Sequence, residues 1–163
     1  MGLLSFFKKT EITEALKLER TNDFLLKAQY GAGHSNWKSW IINIQGNGDV
    51  KQEVYDGDNK TLKLSVKQIQ ELIKLVNKKK FFDLNNSYEP SVKVTDLPTL
   101  ILEIELSGKK QKVRIYGNEH ILTSDEKISS ETKEDVKRFN CVFNKVLELV
   151  PSPNKDQKSY QCN

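Results

Sequence analysis

Apolar and polar positions alternate from Asp23 onward: Phe24, Leu26, Ala28 and Tyr30 share one face, and the run stops at Gly31-Ala32-Gly33. A period of two marks a half-buried strand, and the small residues mark its turn. Trp37 to Gln45 repeats the pattern with Trp40, Ile42 and Ile44 on one face, and Gln45-Gly46-Asn47-Gly48-Asp49 supplies hairpin chemistry before Val50 to Asp56 returns. A two-residue loop would set Ile42 opposite Glu53, whereas one bulged residue pairs Ile44 with Val50 and Trp40 with Val54. The spacing therefore predicts a bulge.

At Ser65-Val66-Lys67-Gln68 the period changes to that of a helix opened by a capping box, with Leu64 placed to staple onto Ile69. Its stripe is Val66, Ile69, Leu72, Ile73 and Val76, and it fades at Asn77-Lys78-Lys79-Lys80, where positive charge suits the negative end of the helix dipole. Phe81-Phe82-Asp83-Leu84 reads as an extended buried connector, followed by a loop through Tyr88 to Val94. A second hairpin has Leu100, Leu102, Ile104 and Leu106 on one face. With Gly108-Lys109 as its loop, Ile104 pairs with Val113, Leu102 with Ile115, Glu105 with Lys112 and Glu103 with Arg114. Ser129 and Ser130 open a last helix whose Val136, Phe139, Phe143, Val146, Leu147 and Val150 keep helical spacing until Pro151.

These elements predict an α+β protein: an antiparallel sheet of two hairpin-helix units with helices packed on one face, a two-layer sandwich. Residues 1–20 form an amphipathic lead-in, 21–150 a single domain, and 151–163 a polar tail. In the lead-in Leu3, Leu4, Phe6, Phe7, Ile12, Leu16 and Leu18 are interleaved with Lys8, Lys9, Glu11, Glu14 and Lys17. It is expected to pack on its own domain, with contact of residues 1–9 with a membrane surface as the competing reading.

Composition narrows the class without naming an activity. The chain has 163 residues, 37% hydrophobic and 29% charged, so it is neither disordered nor low-complexity. A net charge of +4 over a whole surface permits an acidic partner and does not demand one. No segment has the length of a transmembrane helix, and the five-residue apolar stretch near Met1 has its positive charges after it, unlike an export signal. Cys141 and Cys162 are too few and too far apart for a disulfide framework or a zinc site, which makes a reducing cytoplasm the simplest compartment.

Candidate chemistry is sparse. Asp96 precedes a Pro-started strand, and as an acid or base it needs a partner, for which His34 and His120 are the only imidazoles. The competing reading makes Asp96 a turn-organising carboxylate. No ligand spacing supports a metal, no phosphate loop supports a nucleotide, and no cofactor is expected. Ser35 and Cys141 lack the setting of a nucleophile. Lys109 and Lys110 stand at a basic hairpin tip, but Lys112 and Arg114 behind them face glutamates, which argues against nucleic acid. Trp37, Ile41 and Ile101 fall on the face opposite Trp40, Ile42, Ile44, Leu102 and Ile104. If no helix covers them they are anchors for a protein partner, foreign or a second copy. The expectation is a non-enzymatic interaction module, inhibitor-like or immunity-like in one version, with a hydrolase-like centre on Asp96 as the alternative.

The paired Phe of Phe81-Phe82-Asp83-Leu84, then Val94-Thr95-Asp96-Leu97-Pro98-Thr99, then the hairpin ending Val113-Arg114-Ile115-Tyr116-Gly117, resemble a bacterial domain family of unknown function from about Asp23 to Val150. Many of its relatives carry a Gly- and Cys-rich segment with a Cys-Pro-x-Tyr element and an export signal. This chain has Gly31-Ala32-Gly33-His34-Ser35-Asn36-Trp37 there instead. The resemblance implies the fold and carries over no catalytic residue.

Overall fold

The structure, a computed structural model, describes residues 21–33 and 36–154. Seven strands form one sheet in the order β4-β3-β2-β1-β6-β7-β5. They are β1 (Leu25–Gly31), β2 (Trp40–Gln45), β3 (Asp49–Val54), β4 (Lys60–Lys63), β5 (Ser87–Tyr88), β6 (Thr99–Leu106) and β7 (Lys109–Tyr116). All neighbours are antiparallel except β5 and β7. Among the described residues three helices accompany them: α1 (Val66–Lys78), α2 (Glu119–Ser124) and α3 (Ser130–Leu149). The α+β class and the two hairpin-helix units are those expected from the periodicity. The expected lead-in helix at residues 1–20, and residues 155–163 of the tail, lie outside the described residues.

The first hairpin has the bulged register, Ile44 opposite Val50 and Trp40 opposite Val54. The second departs from expectation by two residues, because the loop is Ser107-Gly108 and not Gly108-Lys109. Leu102 pairs with Val113, Leu100 with Ile115, Glu105 with Lys110 and Glu103 with Lys112. Ser107 and Gly108 both have positive φ, 51° and 75°, the backbone of a tight two-residue turn whose twist matches the strands. A shift of two leaves every side chain on its expected face.

The capping box of α1 is present: Ser65 Oγ accepts from the Gln68 amide at 3.3 Å, and Gln68 Oε1 accepts from the Ser65 amide at 2.9 Å. Ser129 Oγ caps α3 by accepting from the Thr132 amide at 3.1 Å. Ile69, Leu72 and Val76 of α1, with Val136, Phe139, Phe143 and Val146 of α3, bury their stripes in one core with Leu26, Ala28, Ile42, Ile44, Leu102, Ile104 and Ile115 of the sheet. An aromatic column runs through this layer: Phe139 stacks on Phe143, Phe143 on Trp40 and Trp40 on Tyr30, each at 5.8 Å between centroids.

The connector at Phe81–Asp83 is a 3-10 turn and not extended; Phe81 is buried, and Lys80 before it adopts φ 49°. The described start of the polar tail packs on the domain. Asn154 is buried and its amide replaces a strand partner, accepting from the Lys38 N–H at 2.8 Å and donating to the Lys38 carbonyl at 3.0 Å. Cys141, on α3, is disulfide-bonded. That differs from the reading of the two cysteines as too few and too far apart for a disulfide framework. No described helix is long and apolar enough to cross a membrane.

Candidate interaction face

Because side chains alternate along a strand, covering one face of the sheet with α1 and α3 leaves the other to the odd-numbered positions of β1, β2 and β6. Register then lines these up in rows across the strands. One row reads Glu53, Ile41, Gln29, Ile101 and Arg114, and the next reads Thr61, Lys51, Asn43, Lys27, Glu103 and Lys112. No described element covers this face. Ile41 and Ile101 are half-buried on either side of Gln29, and Leu25, at the far end of β1, is 48% exposed. Two shallow concavities follow the rows, one lined by Ile41, Ile101 and Glu53, the other by Leu25, Lys27 and Glu103.

The charges on this face neutralise one another locally. Lys110 Nζ lies 2.9 Å from Glu103, Lys51 is paired with Glu53, and Arg114 donates to Glu89 at 2.7 Å while its guanidinium lies over the Tyr116 ring. The hydrogen bond from Lys110 holds the Glu103 carboxyl below its usual range, with the charges of Lys110, Lys112 and Lys27 adding to it. The reciprocal bond raises Lys110. The basic tip is thus divided: Lys110 is committed to Glu103, and Lys109 is exposed at the turn. A polyanion laid on this face would meet Glu53, Glu103 and Glu105 among the lysines, which disfavours nucleic acid.

The sheet edges are poor binding ribbons. β4 is four residues long with Lys60 and Lys63 exposed, and β5 has two residues. Short, lysine-bearing edges resist strand addition.

Trp37, expected beside Ile41 and Ile101, is elsewhere. Strand β2 begins only at Trp40, so alternation does not reach back to residue 37. Trp37 is 39% exposed, and its ring lies 6.0 Å from Tyr30, at the end of the aromatic column. The bonds between Lys38 and Asn154, and from the Ala32 amide to Ser39 Oγ at 3.1 Å, hold that segment in its own path.

The residues of the hydrolase alternative do not assemble among the described residues. Asp96 is exposed, has φ 66°, and its carboxylate makes no hydrogen bond there, so the expected turn-amide contacts are also missing. His120 is exposed in the first turn of α2 and has no bond to Asp96. His34 lies outside the described residues, although Gly33 before it packs so closely on the Asp96 and Leu97 carbonyls that a Cβ would collide with them. No described group of three or more His, Cys, Asp or Glu side chains is arranged to hold a metal.

One buried polar cluster escaped the sequence. Tyr88 Oη donates to Asp135 at 2.9 Å and accepts from the Asn85 amide at 2.8 Å. Arg138 donates to Asp135 at 2.7 Å and to the carbonyls of Lys79 and Lys80 at 2.7 and 2.6 Å, satisfying the end of α1 from another helix. Burial pushes the Tyr88 hydroxyl up to about 12. The cluster ties α3 to α1 and β5 and contacts no described cavity. Asp135 at helical spacing from Arg138 was the available signal, but Tyr88 stands on a distant two-residue strand.

The chain is similar, over residues 55–134, to a domain of unknown function, DUF6438. That stretch holds β4 to β7, α1 and α2 and is shorter than the 23–150 of the expected resemblance. No curated protein matches the chain.

Proposed function

We propose that the chain is a non-enzymatic protein-interaction module that binds through its open sheet face. The observation that carries this reading is the pairing of two half-buried isoleucines, Ile41 and Ile101, at the centre of a face that no described element covers. Apolar centres ringed by satisfied charge suit a protein surface better than a small ligand or a polyanion. The blunted edges favour the face over strand addition. An inhibitor-like or immunity-like role is one form that such a module takes.

The test is Ile41→Asp with Ile101→Asp. The double variant should melt close to the wild type, while captured proteins that the wild type retains are lost, an affinity loss of roughly 30-fold or more if the pair anchors the contact. Undiminished capture by a folded double variant sinks the reading.

A further inference from the structure

We propose that the occupant of the open face is a second copy of this chain, docked face to face about a two-fold axis that runs along β1. The inference rests on the reading of that face as a binding surface and names its partner.

The outward row through Gln29 reads Glu53, Ile41, Gln29, Ile101 and Arg114. From either end the row has a charge, an isoleucine and then the central amide, and only the sign of the outer charge differs. A two-fold parallel to β1 lays the row of one copy reversed over that of the other, and an isologous contact makes every pairing twice. Each Ile41 then meets Ile101 of the second copy, Glu53 meets its Arg114, and the two Gln29 amides, each both donor and acceptor, meet on the axis. A two-fold across the strands would instead set Glu53 on Glu53 and Arg114 on Arg114, so charge selects the axis along β1. Glu53 and Arg114 keep their present partners, Lys51 and Glu89, and the contact joins the two pairs into a chain of alternating sign.

The neighbouring row has the same symmetry. Gly31 lies beside Thr99, and Thr99 beside Tyr116. On the other side of Gly31 comes Ser39, whose carbonyl accepts from the Tyr55 amide. Small residues thus occupy the centre and a tyrosine each end. Tyr55 is 74% exposed beside a trough lined by Gly31, Ser39 and Thr99, which gives the Tyr55 rings of both copies a place when the faces close. Aligned sheets cross at about 30°, so Lys27, the next outward residue of β1, diverges from its copy. The five strands β3, β2, β1, β6 and β7, over four outward rows, cover roughly 24 Å by 27 Å, a patch of the order of the 800 Å² per partner that a stable contact buries.

The test compares the full-length wild type, Glu53→Arg, Arg114→Glu and an equimolar mixture of these two variants by sedimentation equilibrium from roughly 1 to 100 µM, with circular dichroism reporting the fold of each. The wild type should be a dimer. Each variant alone sets like charges opposite one another twice, and its self-association should weaken about tenfold or more. The mixture should associate nearly as well as the wild type, because every charge again faces its opposite. Gln29→Glu, which sets a charge against its own copy on the axis, should weaken the dimer as well and serves if either reversal fails to fold. A wild type that stays monomeric, variants that dimerise undiminished, or a mixture no better than its parts overturns the inference. If the wild type is a monomer whose captured proteins are lost in the Ile41→Asp, Ile101→Asp variant, the face binds a different protein and the interaction reading stands. If it is a monomer and that variant captures undiminished, both fall.

Discussion

Ile101 and Ile104 are the same residue on the same strand, three positions apart. Ile104 is fully buried beneath the helices, while Ile101 looks out between Gln29 and Arg114. The difference extends over the whole sheet. On the helix side the strands present Leu26, Ala28, Ile42, Leu102 and Val113, and the polar groups buried there are satisfied. On the other side nearly every side chain is charged or amide-bearing, and the apolar residues stand among ion pairs. One face was selected for packing, and the other carries no described helix whose packing would explain its isoleucines. That contrast makes the open face the place to look for a partner.

The sharpest way to break the contrast is to shorten both isoleucines. Ile104→Ala should cost about 3–4 kcal/mol, through lost burial and a cavity that the packed layer cannot close. Ile101→Ala should cost under about 1 kcal/mol, since its site is already half open to solvent. Urea unfolding measures both, and equal losses would mean that the outer face is covered within the monomer.

Next in size is Arg138→Ala, which leaves Asp135 buried without its cation and the Lys79 and Lys80 carbonyls just past α1 without these donors. A loss of about 3 kcal/mol is expected, and Asp135→Asn in the same background should recover part of it. The buried layer would thereby be shown to depend on one charge pair as well as on apolar contact.

Tyr88→Phe sharpens the same point through pH. The hydroxyl stays protonated in the folded state up to about 12 against an ordinary value of 10.0. The unfolded chain therefore releases its proton first, and stability should fall as pH rises through that interval. The phenylalanine variant should be less stable at neutral pH, by about 1–2 kcal/mol, yet lose less on going from pH 10 to 12. Parallel pH profiles for the two proteins would contradict the assignment.

The smallest effect belongs to Asp96→Asn. Asparagine tolerates a left-handed backbone as well as aspartate does, and the carboxylate has no amide partner to lose, so thermal melts should agree within about 0.5 kcal/mol.

How far the sequence carried depends on whether a local rule fixed the outcome. The β2–β3 bulge was legible because the unbulged register would have put Ile42 against Glu53, on the wrong face. The β6–β7 register was not, because two registers differing by two residues satisfy the same faces, and the positive φ values of Ser107 and Gly108 decided between them. Short elements such as β4, β5 and α2 give too few positions for periodicity to register. The face holding Ile41 and Ile101 followed from alternation alone. Trp37 was misplaced by carrying alternation past the start of β2, and the Tyr88, Asp135 and Arg138 cluster joins segments that only the tertiary fold brings together.

The central position of β1 has a kinetic consequence. Each hairpin forms from residues near in sequence, but β1 must then bond to β2 on one side and to β6, far along the chain, on the other. Closing that long loop costs chain entropy before any of its contacts repay it, and topologies with such distant pairings fold slowly. The two halves are thus expected to assemble as separate units that wait for one another, with the joining of β1 to β6 as the step that sets the pace.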